Sequence, residues 1–291
     1  PHPYGLVLSP DGAIAVTANS GTGPFSVTII RNVTGKEPQV QQVPEGHRTD
    51  AGILASVYMG LAIAPDNRTL YVAGGQEGKV YIIDCITGKR TGEILCDVPV
   101  HGIAYDDSYI GDMVMSADGT RLYAVDQMNF RMLVIDPTAH AVVANVPVGR
   151  YPFGITLSPD GTMAYVANVG VFVYERIRSF DPKDPHRTSL AKPPFAYGSR
   201  EMREGIVNDS INVPGLGDPN VPESFSVWSV DIRDEQALKV TSKVKTGFLV
   251  GEVVEGIPAL GGASPNSVVA TDRYVFASNG NNDCISVIDV R

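Results

Sequence analysis

The five histidines are the residues of this sequence best suited to acid–base or metal chemistry, yet their spacing favours neither. They are spread along the whole chain, at His2, His47, His101, His140 and His186. No two of them form an H-x-H or H-E-x-x-H pattern, which would bring two ring nitrogens to one metal ion. The sequence therefore predicts no histidine-based metal centre and leaves the identity of any metal open.

Four polar residues recur near the beginning of repeated apolar runs. His2 and His101 occupy equivalent positions at the start of such a run, and Arg150 and Asn266 fall near the same register in later copies. If these runs are the innermost strands of a ring, the four side chains can surround one channel mouth. Such a polar ring could bind an anion or a small ligand. Alternatively, these residues only cap strand ends and keep the mouth hydrated.

A second set of polar candidates lies between residues 169 and 223. Carboxylates in this stretch offer oxygen ligands that Ca²⁺ would accept, but their spacing matches no EF-hand, so a solvated loop is the simpler interpretation. Recognition on this loop is predicted for Asp181, Asp184, His186, Arg187, Arg200 and Arg203. The chain contains no nucleophile elbow, P-loop or dinucleotide fingerprint. No catalytic residue and no cofactor are predicted, with Ca²⁺ the one ion left open.

Two repeated phrases must position these residues. In the first, two short apolar runs fold back on each other at an Asp-Gly or related turn, as at Asp160-Gly161, with further copies at Asp11, Asp66, Asp118 and Asp272. Such a dipeptide between β-rich runs is a strong hairpin signal. The second phrase is an apolar run that ends in an Asp, at positions 84, 136, 231 and 289. We interpret these Asp residues as turn residues that accept backbone N–H bonds.

Two hairpins in each copy make a four-stranded unit, and its recurrence at about 40–50 residues is typical of a β-propeller blade. The sequence predicts an all-β propeller over 1–291, with blades that begin near Gly5, Gly60, Gly102, Gly154 and Ser267. The five repeat units cover about 1–56, 57–97, 98–149, 150–246 and 247–291, and the fourth carries a long loop insertion at 169–223. Because the fifth unit lacks its last strand, we expect the native polypeptide to continue beyond Arg291 and complete a seven-bladed ring.

The long connections all fall on one face of the predicted disc. Successive antiparallel strands reverse direction, so the loops between second and third strands lie on the same side as the loops between blades. The connections 45–56, 169–223 and 247–262 are of these two kinds, as is the start of 97–112. Recognition is therefore expected on this face. Aromatic residues in the insertion predict that it packs there as a lid: Phe180, Phe195 and Tyr197.

The amino-acid composition narrows the classes of partner that the protein is expected to bind. The net charge of −9 argues against nucleic acid as the main ligand, because phosphate binding needs a basic surface. No apolar run approaches the ~20 residues that a membrane-spanning helix needs. Cys85 and Cys96 are expected at opposite ends of one hairpin, so no disulfide is predicted between them. No signal peptide is visible, and export is neither supported nor excluded by that observation alone.

The repeats resemble those of a known family. Ser158-Pro-Asp-Gly161 with Tyr165-Val-Ala-Asn168, and the stretch Asn279–Asp289, are similar to YVTN repeats of YncE-like propellers. The chain looks closest to the N-terminal propeller of bacterial proteins that also carry an alkaline-phosphatase-superfamily phosphoesterase domain. The supporting phrases are Phe180-Asp-Pro-Lys-Asp-Pro185, Gly215-Leu-Gly-Asp-Pro219, Glu223-Ser-Phe-Ser-Val-Trp228 and Ala263-Ser-Pro-Asn-Ser-Val268. The resemblance implies seven blades and a periplasmic, secreted or cell-surface location. It carries over no catalytic residue, because the phosphoesterase region is missing.

Three functions follow from these patterns. The first is a non-catalytic binding scaffold that presents the long-loop face to a protein, a glycan or an attached phosphoesterase domain. The second is a propeller enzyme of the lactonase, lyase or hydrolase type, with its site at the channel mouth. The third is binding of single-stranded nucleic acid, which the acidic charge makes the weakest of the three. Catalysis, the ligand and the oligomeric state stay open at this point.

Overall fold

The structure is a computed structural model that describes residues 2–21, 25–44, 54–173, 183, 197–209 and 212–291. Within these residues the chain is almost wholly β-structure, and 3% of it is helical. The helical part comprises one helix, α1 (Arg200–Glu204), and one 3-10 turn (Glu235–Ala237). The predicted all-β propeller is confirmed, with five blades.

Each blade is an antiparallel sheet whose strands follow one another in chain order. The first contains β1 (His2–Leu8), β2 (Ile14–Ser20), β3 (Ser26–Arg31) and β4 (Gln39–Val43). The second contains β5 (Leu61–Ile63), β6 (Thr69–Ala73), β7 (Lys79–Asp84) and β8 (Lys89–Leu95). The third contains β9 (Ile110–Met115), β10 (Leu122–Asp126), β11 (Arg131–Asp136) and β12 (Ala141–Pro147).

The fourth blade is interrupted by the insertion. It begins with β13 (Pro152–Leu157) and β14 (Met163–Asn168), and the insertion then contributes α1 and a small hairpin of β15 (Gly205–Val207) and β16 (Asn212–Pro214). The blade resumes with β17 (Ser226–Asp231) and β18 (Lys239–Lys245). A second small hairpin, β19 (Val253–Val254) and β20 (Ile257–Pro258), precedes the fifth blade. The described part of that blade has three strands, β21 (Pro265–Ala270), β22 (Tyr274–Asn279) and β23 (Cys284–Asp289).

The hairpin turns form where the Asp residues predicted them. Asp11 Oδ1 accepts a hydrogen bond from Ala13 N at 3.0 Å, and Asp160 Oδ1 accepts one from Thr162 N at 3.0 Å. Gly12 and Gly161 follow with φ of 71° and 70°, a left-handed conformation that Gly adopts without steric cost. Asp84 likewise accepts from Ile86 N at 2.8 Å in the turn between the third and fourth strands. These Asp residues are therefore structural.

The blades are held together face to face. The core between the first two blades is built from aliphatic side chains such as Val16, Ile29 and Leu70, each fully buried. Similar cores lie between the second and third blades and between the third and fourth. Cys85 belongs to the first of these cores and Cys96 to the second, so the two thiols face opposite sides of one sheet. Both are free, as the prediction of no disulfide requires.

The innermost strands β1, β5, β9, β13 and β21 contact one another in that order. The two sheets at the ends of this series each have an apolar outer face that no described residue covers. On the first blade Leu6, Leu8 and Val40 are 70%, 55% and 68% exposed. On the fifth, Val269, Ile285 and Val287 are 57%, 66% and 59% exposed. Completion of the ring to seven blades stays a prediction.

One predicted strand start is wrong. The third blade was expected to begin near Gly102, whereas its first strand begins at Ile110. His101 and Gly102 instead form a tight turn with φ of 50° and 80° in the connection between blades. His101-Gly102-Ile103-Ala104 matches the repeat as Met59-Gly60-Leu61-Ala62 does, whereas the actual first strand carries Asp112 where the first, second and fourth blades have Gly.

In the part of the chain that the structure describes, no helix is long and apolar enough to cross a membrane.

Candidate functional site

Within the residues that the structure describes, the long connections lie on one face of the propeller, as predicted. The insertion and the connection 247–262 are joined by a reciprocal pair of hydrogen bonds. Asn220 Nδ2 donates to Val250 O at 3.0 Å, and Val250 N donates to Asn220 Oδ1 at 2.9 Å. We call this side of the disc the loop face, and the side that carries Asp11, Asp66, Asp118 and Asp160 the turn face.

A small apolar core fixes the described part of the insertion to the propeller. Met202 of α1 is 5% exposed and packs with Phe172 and Phe225, which are fully or almost fully buried. Ser199 caps α1, since its hydroxyl accepts from Met202 N at 3.1 Å. Gly215 passes so close to α1 that a Cβ there would lie 2.2 Å from Arg203 O. This segment is therefore packed on the loop face.

The predicted recognition residues of the insertion divide into two groups. Asp181, Asp184, His186 and Arg187 lie outside the described residues. Arg200 and Arg203 both lie on α1 and are exposed on the loop face. Arg200 Nε donates to Glu204 Oε2 at 2.6 Å, a surface ion pair within one helical turn. Their exposure suits recognition, which stays a prediction.

Of the four residues predicted at the channel mouth, the structure places His2 there. His2 is exposed at the start of β1 and lines a pocket. His101 lies in the exposed turn between the second and third blades. Arg150 is half-buried beneath the insertion, where its Nη1 donates to Val171 O at 2.7 Å, and burial lowers its pKa. Asn266 accepts from Ser278 Oγ at 2.7 Å within its own blade. None of the described hydrogen bonds or ion pairs joins one of these four side chains to another, and the polar ring stays a prediction.

The channel mouth is surrounded mainly by aromatic side chains. The innermost strands of the first, fourth and fifth blades each carry a β-bulge, which leaves Tyr4, Phe153 and Asn266 out of register. A bulge re-aims the side chain of the extra residue. Gly follows the bulge in two of these strands, and a Cβ on Gly5 would lie 1.8 Å from Met59 O of the next blade. The small residue allows the inner strands to pack closely at the mouth.

Tyr58 is the centre of an aromatic cluster made by four consecutive blades. Its ring centroid lies 5.8 Å from that of Tyr4, 5.0 Å from that of Tyr109 and 6.2 Å from that of Phe153. Edge-to-face and tilted contacts of this kind are favourable for aromatic rings. Burial, with the nearby Tyr109 and Tyr4 hydroxyls, raises the pKa of Tyr58 to about 12. The hydroxyl is therefore neutral over the physiological pH range and can both donate and accept.

Beside this cluster lies a pocket of about 500 Å³, which we call the mouth pocket. Three tyrosines, one phenylalanine, one histidine and several neutral polar groups make up most of its lining: His2, Tyr4, Ser20, Phe25, Ser56, Tyr58, Gln76 and Tyr109. None of the described lining residues is Arg, Lys, Asp or Glu. The repeat pattern did not predict this site, although Pro3-Tyr4-Gly5 and Pro152-Phe153-Gly154 share a pattern that marks the bulged aromatic residues.

A second, more open groove of about 740 Å³ lies on the loop face at the fifth blade. It runs between the hairpin β19–β20 and the turn at Asn281–Asp283, with Phe248, Ile257 and Leu260 in its lining. Ile257 is 71% exposed and Leu260 64%. The loop face thus carries both concave surfaces and exposed apolar side chains.

A buried ion pair anchors the connection between the second and third blades. Arg131 Nε donates to Asp126 Oδ2 at 2.8 Å, and both side chains are almost fully buried. Arg131 also donates to Ser108 Oγ at 3.1 Å, and its guanidinium lies 3.5 Å from the centroid of the Tyr105 ring. Ser108 and Tyr105 belong to the connection, so this pair is best explained as structural. Across the described ranges, no three His, Cys, Asp or Glu side chains are grouped to hold a metal ion.

Comparison with known proteins supports the fold alone. No protein-family model matches the chain, and no curated protein matches it. Among solved structures, it is similar to one described as a proposed 6-phosphogluconolactonase from Bacteroides uniformis, with a TM-score of 0.58 and 16% identity over 100% of this chain and 68% of that one. It is also similar to a functionally unknown protein from Desulfotomaculum acetoxidans, with a TM-score of 0.50 and 14% identity over 98% of this chain and 68% of that one.

Proposed function

We propose that the chain is a non-catalytic binding propeller that presents its loop face to a protein, a glycan or an attached domain. The observation that carries this proposal is the convergence of the described long connections on one face, where the insertion packs on 247–262 and the mouth pocket opens. The turn face carries smaller clefts of about 430 Å³ and 290 Å³ between neighbouring Asp turns, and Tyr165 is the one aromatic side chain among their described lining residues. Recognition sites are usually built from loops that a rigid scaffold positions.

The resemblance to YncE-like propellers fits this proposal and suggests where the protein acts. Relatives of that type are exported, so we propose a periplasmic, secreted or cell-surface location. An attached phosphoesterase domain of a longer polypeptide would be one natural occupant of the loop face. Measurement of the location of the full-length protein by cell fractionation tests this part separately.

A lactonase-type enzyme is the alternative function. It is favoured by one structural neighbour that is described as a proposed 6-phosphogluconolactonase. At 16% identity, that likeness concerns the fold and transfers no residue. The mouth pocket would be the place for such a reaction, yet its described lining offers no Arg or Lys to bind a phosphate and His2 as its one imidazole.

Binding to a panel of immobilised glycans and to an added phosphoesterase domain tests the proposal. We expect the full chain to bind, and we expect a variant with residues 171–221 replaced by a short Gly linker to lose that binding while the blades remain folded. If the deletion variant does not fold, Leu260→Asp on the loop face replaces it as the test. Ile86→Asp on the turn face is its matched control. Unchanged binding in both loop-face variants would contradict the proposal. Hydrolysis of glucono-δ-lactone that His2→Ala abolishes would instead establish the enzyme.

A further inference from the structure

We propose that the mouth pocket binds an uncharged sugar ring. The inference rests on the proposed binding function and specifies one ligand class for one of its surfaces. It begins from the chemistry of the lining, where aromatic ring surface alternates with neutral hydrogen-bonding groups. Tyr4 supplies exposed ring surface, as it is 57% exposed at the mouth. Ser20, Ser56 and Gln76 lie around the same pocket.

A sugar ring matches both the aromatic surface and the neutral hydrogen-bonding groups of this lining. One face of a pyranose presents C–H bonds and packs on an aromatic ring, while the hydroxyl groups at its edge need neutral donors and acceptors. Hydroxyl and amide side chains both donate and accept, as sugar hydroxyl groups do. A few polar groups placed around an apolar surface are the usual way in which a small-molecule pocket fixes orientation.

Charge argues against other small ligands. A phosphorylated sugar or a nucleotide needs Arg or Lys to match its negative charge, and none is found in the described lining. A quaternary ammonium ligand could use the aromatic rings, but no described carboxylate lines the pocket to balance its charge. The Tyr58 hydroxyl is neutral, since its pKa is raised to about 12. An uncharged ligand is the one that the described part of the lining accommodates without an unpaired charge.

Size and rigidity agree with a ligand of one or two sugar rings. A volume of about 500 Å³ lies within the range of small-molecule sites. The far wall of the pocket is held in place, because Tyr58 is packed between Tyr4, Tyr109 and Phe153. A wall fixed before binding lowers the entropy cost of association. Tyr4 is the outermost of these rings, and its removal should leave the wall behind it intact.

Calorimetric titration of the full chain with maltose, lactose and N,N′-diacetylchitobiose tests the inference, with glucose 6-phosphate as a charged comparison. We expect at least one neutral disaccharide to bind with a Kd below about 10 mM, and Tyr4→Ala to weaken that binding about tenfold, which corresponds to ~1.4 kcal/mol. Tyr4→Phe keeps the ring and should stay within about threefold. Tyr274→Ala, the same truncation on the fifth blade, should have no effect.

The inference is overturned if none of the three disaccharides binds, if Tyr4→Ala binds as the unaltered chain does, or if glucose 6-phosphate binds more tightly than the neutral sugars. Thermal unfolding of each variant confirms that it is folded. Failure here is distinguishable from failure of the proposed function, because none of the described residues of the 171–221 segment lines the mouth pocket. A chain that binds a partner through the insertion but binds no sugar would retain the proposed function and lose this inference.

Discussion

Asp112 is the single residue that most clearly departs from the repeat. It occupies the position in β9 that Gly5, Gly60 and Gly154 occupy in other blades, and its Oδ2 accepts a hydrogen bond from Ile155 N of the next blade at 3.2 Å. Burial raises the pKa of its carboxyl group to about 6, although hydrogen bonds from Ile155 and Met113 oppose the shift. Ionisation of Asp112 therefore strengthens the hydrogen bond from Ile155 N, but the cost of burying the charge is larger, so the ionised group destabilises the folded chain.

The pH dependence of stability should reveal this group. Because the folded pKa is raised from 3.8 to about 6, the stabilising contribution is complete below about pH 4 and is lost as the pH rises through about 6. We expect the unaltered chain to lose about 1–3 kcal/mol relative to Asp112→Asn between pH 4 and pH 7. Urea unfolding at several pH values measures the difference. Parallel pH profiles for the two proteins would contradict this assignment.

The Asp126–Arg131 pair gives a second test at this scale. Arg131→Met leaves the Asp126 carboxylate buried without its partner and should cost about 3–5 kcal/mol. The double change Asp126→Leu and Arg131→Met removes both charges and should recover a large part of that loss. Arg68→Ala breaks an exposed pair with Asp84 and should cost less than about 1 kcal/mol. Equal losses for Arg131→Met and Arg68→Ala in urea unfolding would show that the buried pair has no special role.

At the scale of whole strands, the close approach of the innermost strands limits the size of the side chains that they can carry. A Cβ on Gly5 would overlap Met59 O of the next blade, whereas a Cβ on Gly92 in β8 would make ordinary van der Waals contact with Ile82 Cδ1 at 3.4 Å and with the His140 ring at 3.5 Å. We expect Gly5→Ala to destabilise the protein by about 1–3 kcal/mol, since the blades must move apart to admit it. Gly92→Ala is the matched control, and its effect should be small. Thermal unfolding measures the stability of both variants. Equal melting temperatures for Gly5→Ala and Gly92→Ala would contradict the expectation.

The sequence predicted the elements well and the site poorly, for reasons that lie in particular residues. Asp11, Asp66, Asp118 and Asp160 specify their turns locally, through carboxylates that accept N–H groups two residues on, so a repeated phrase was sufficient. The predicted start of the third blade was wrong because His101-Gly102 imitates the repeat, while the actual first strand carries Asp112 at the Gly position. The aromatic cluster depends on Tyr4 and Phe153 at bulges but on Tyr58 and Tyr109 just before strands, and that convergence exists only once the blades are packed side by side.

At the scale of the whole molecule, the exposed sheets of the first and fifth blades are expected to control self-association. Their outer faces expose rows of apolar side chains, and the structural neighbours are longer, since this chain spans 68% of each of them. That the native polypeptide covers these faces with further blades stays a prediction. Exposed apolar patches promote association, so we expect the 291-residue chain to self-associate to a degree that rises with its concentration. Leu8→Glu with Ile285→Glu should reduce that association in light scattering, and a monomeric unaltered chain would contradict the expectation.

The central claim is that recognition occurs on the loop face, and site-specific photo-crosslinking in cells that make the protein tests it most directly. A benzophenone amino acid is placed at Tyr4 in the mouth, at Leu260 on the loop face or at Ile86 on the turn face, where Leu260 and Ile86 are 64% and 54% exposed. The account predicts crosslinked adducts from Tyr4 or Leu260 and none from Ile86. Adducts from Ile86 alone would place recognition on the opposite face and contradict it.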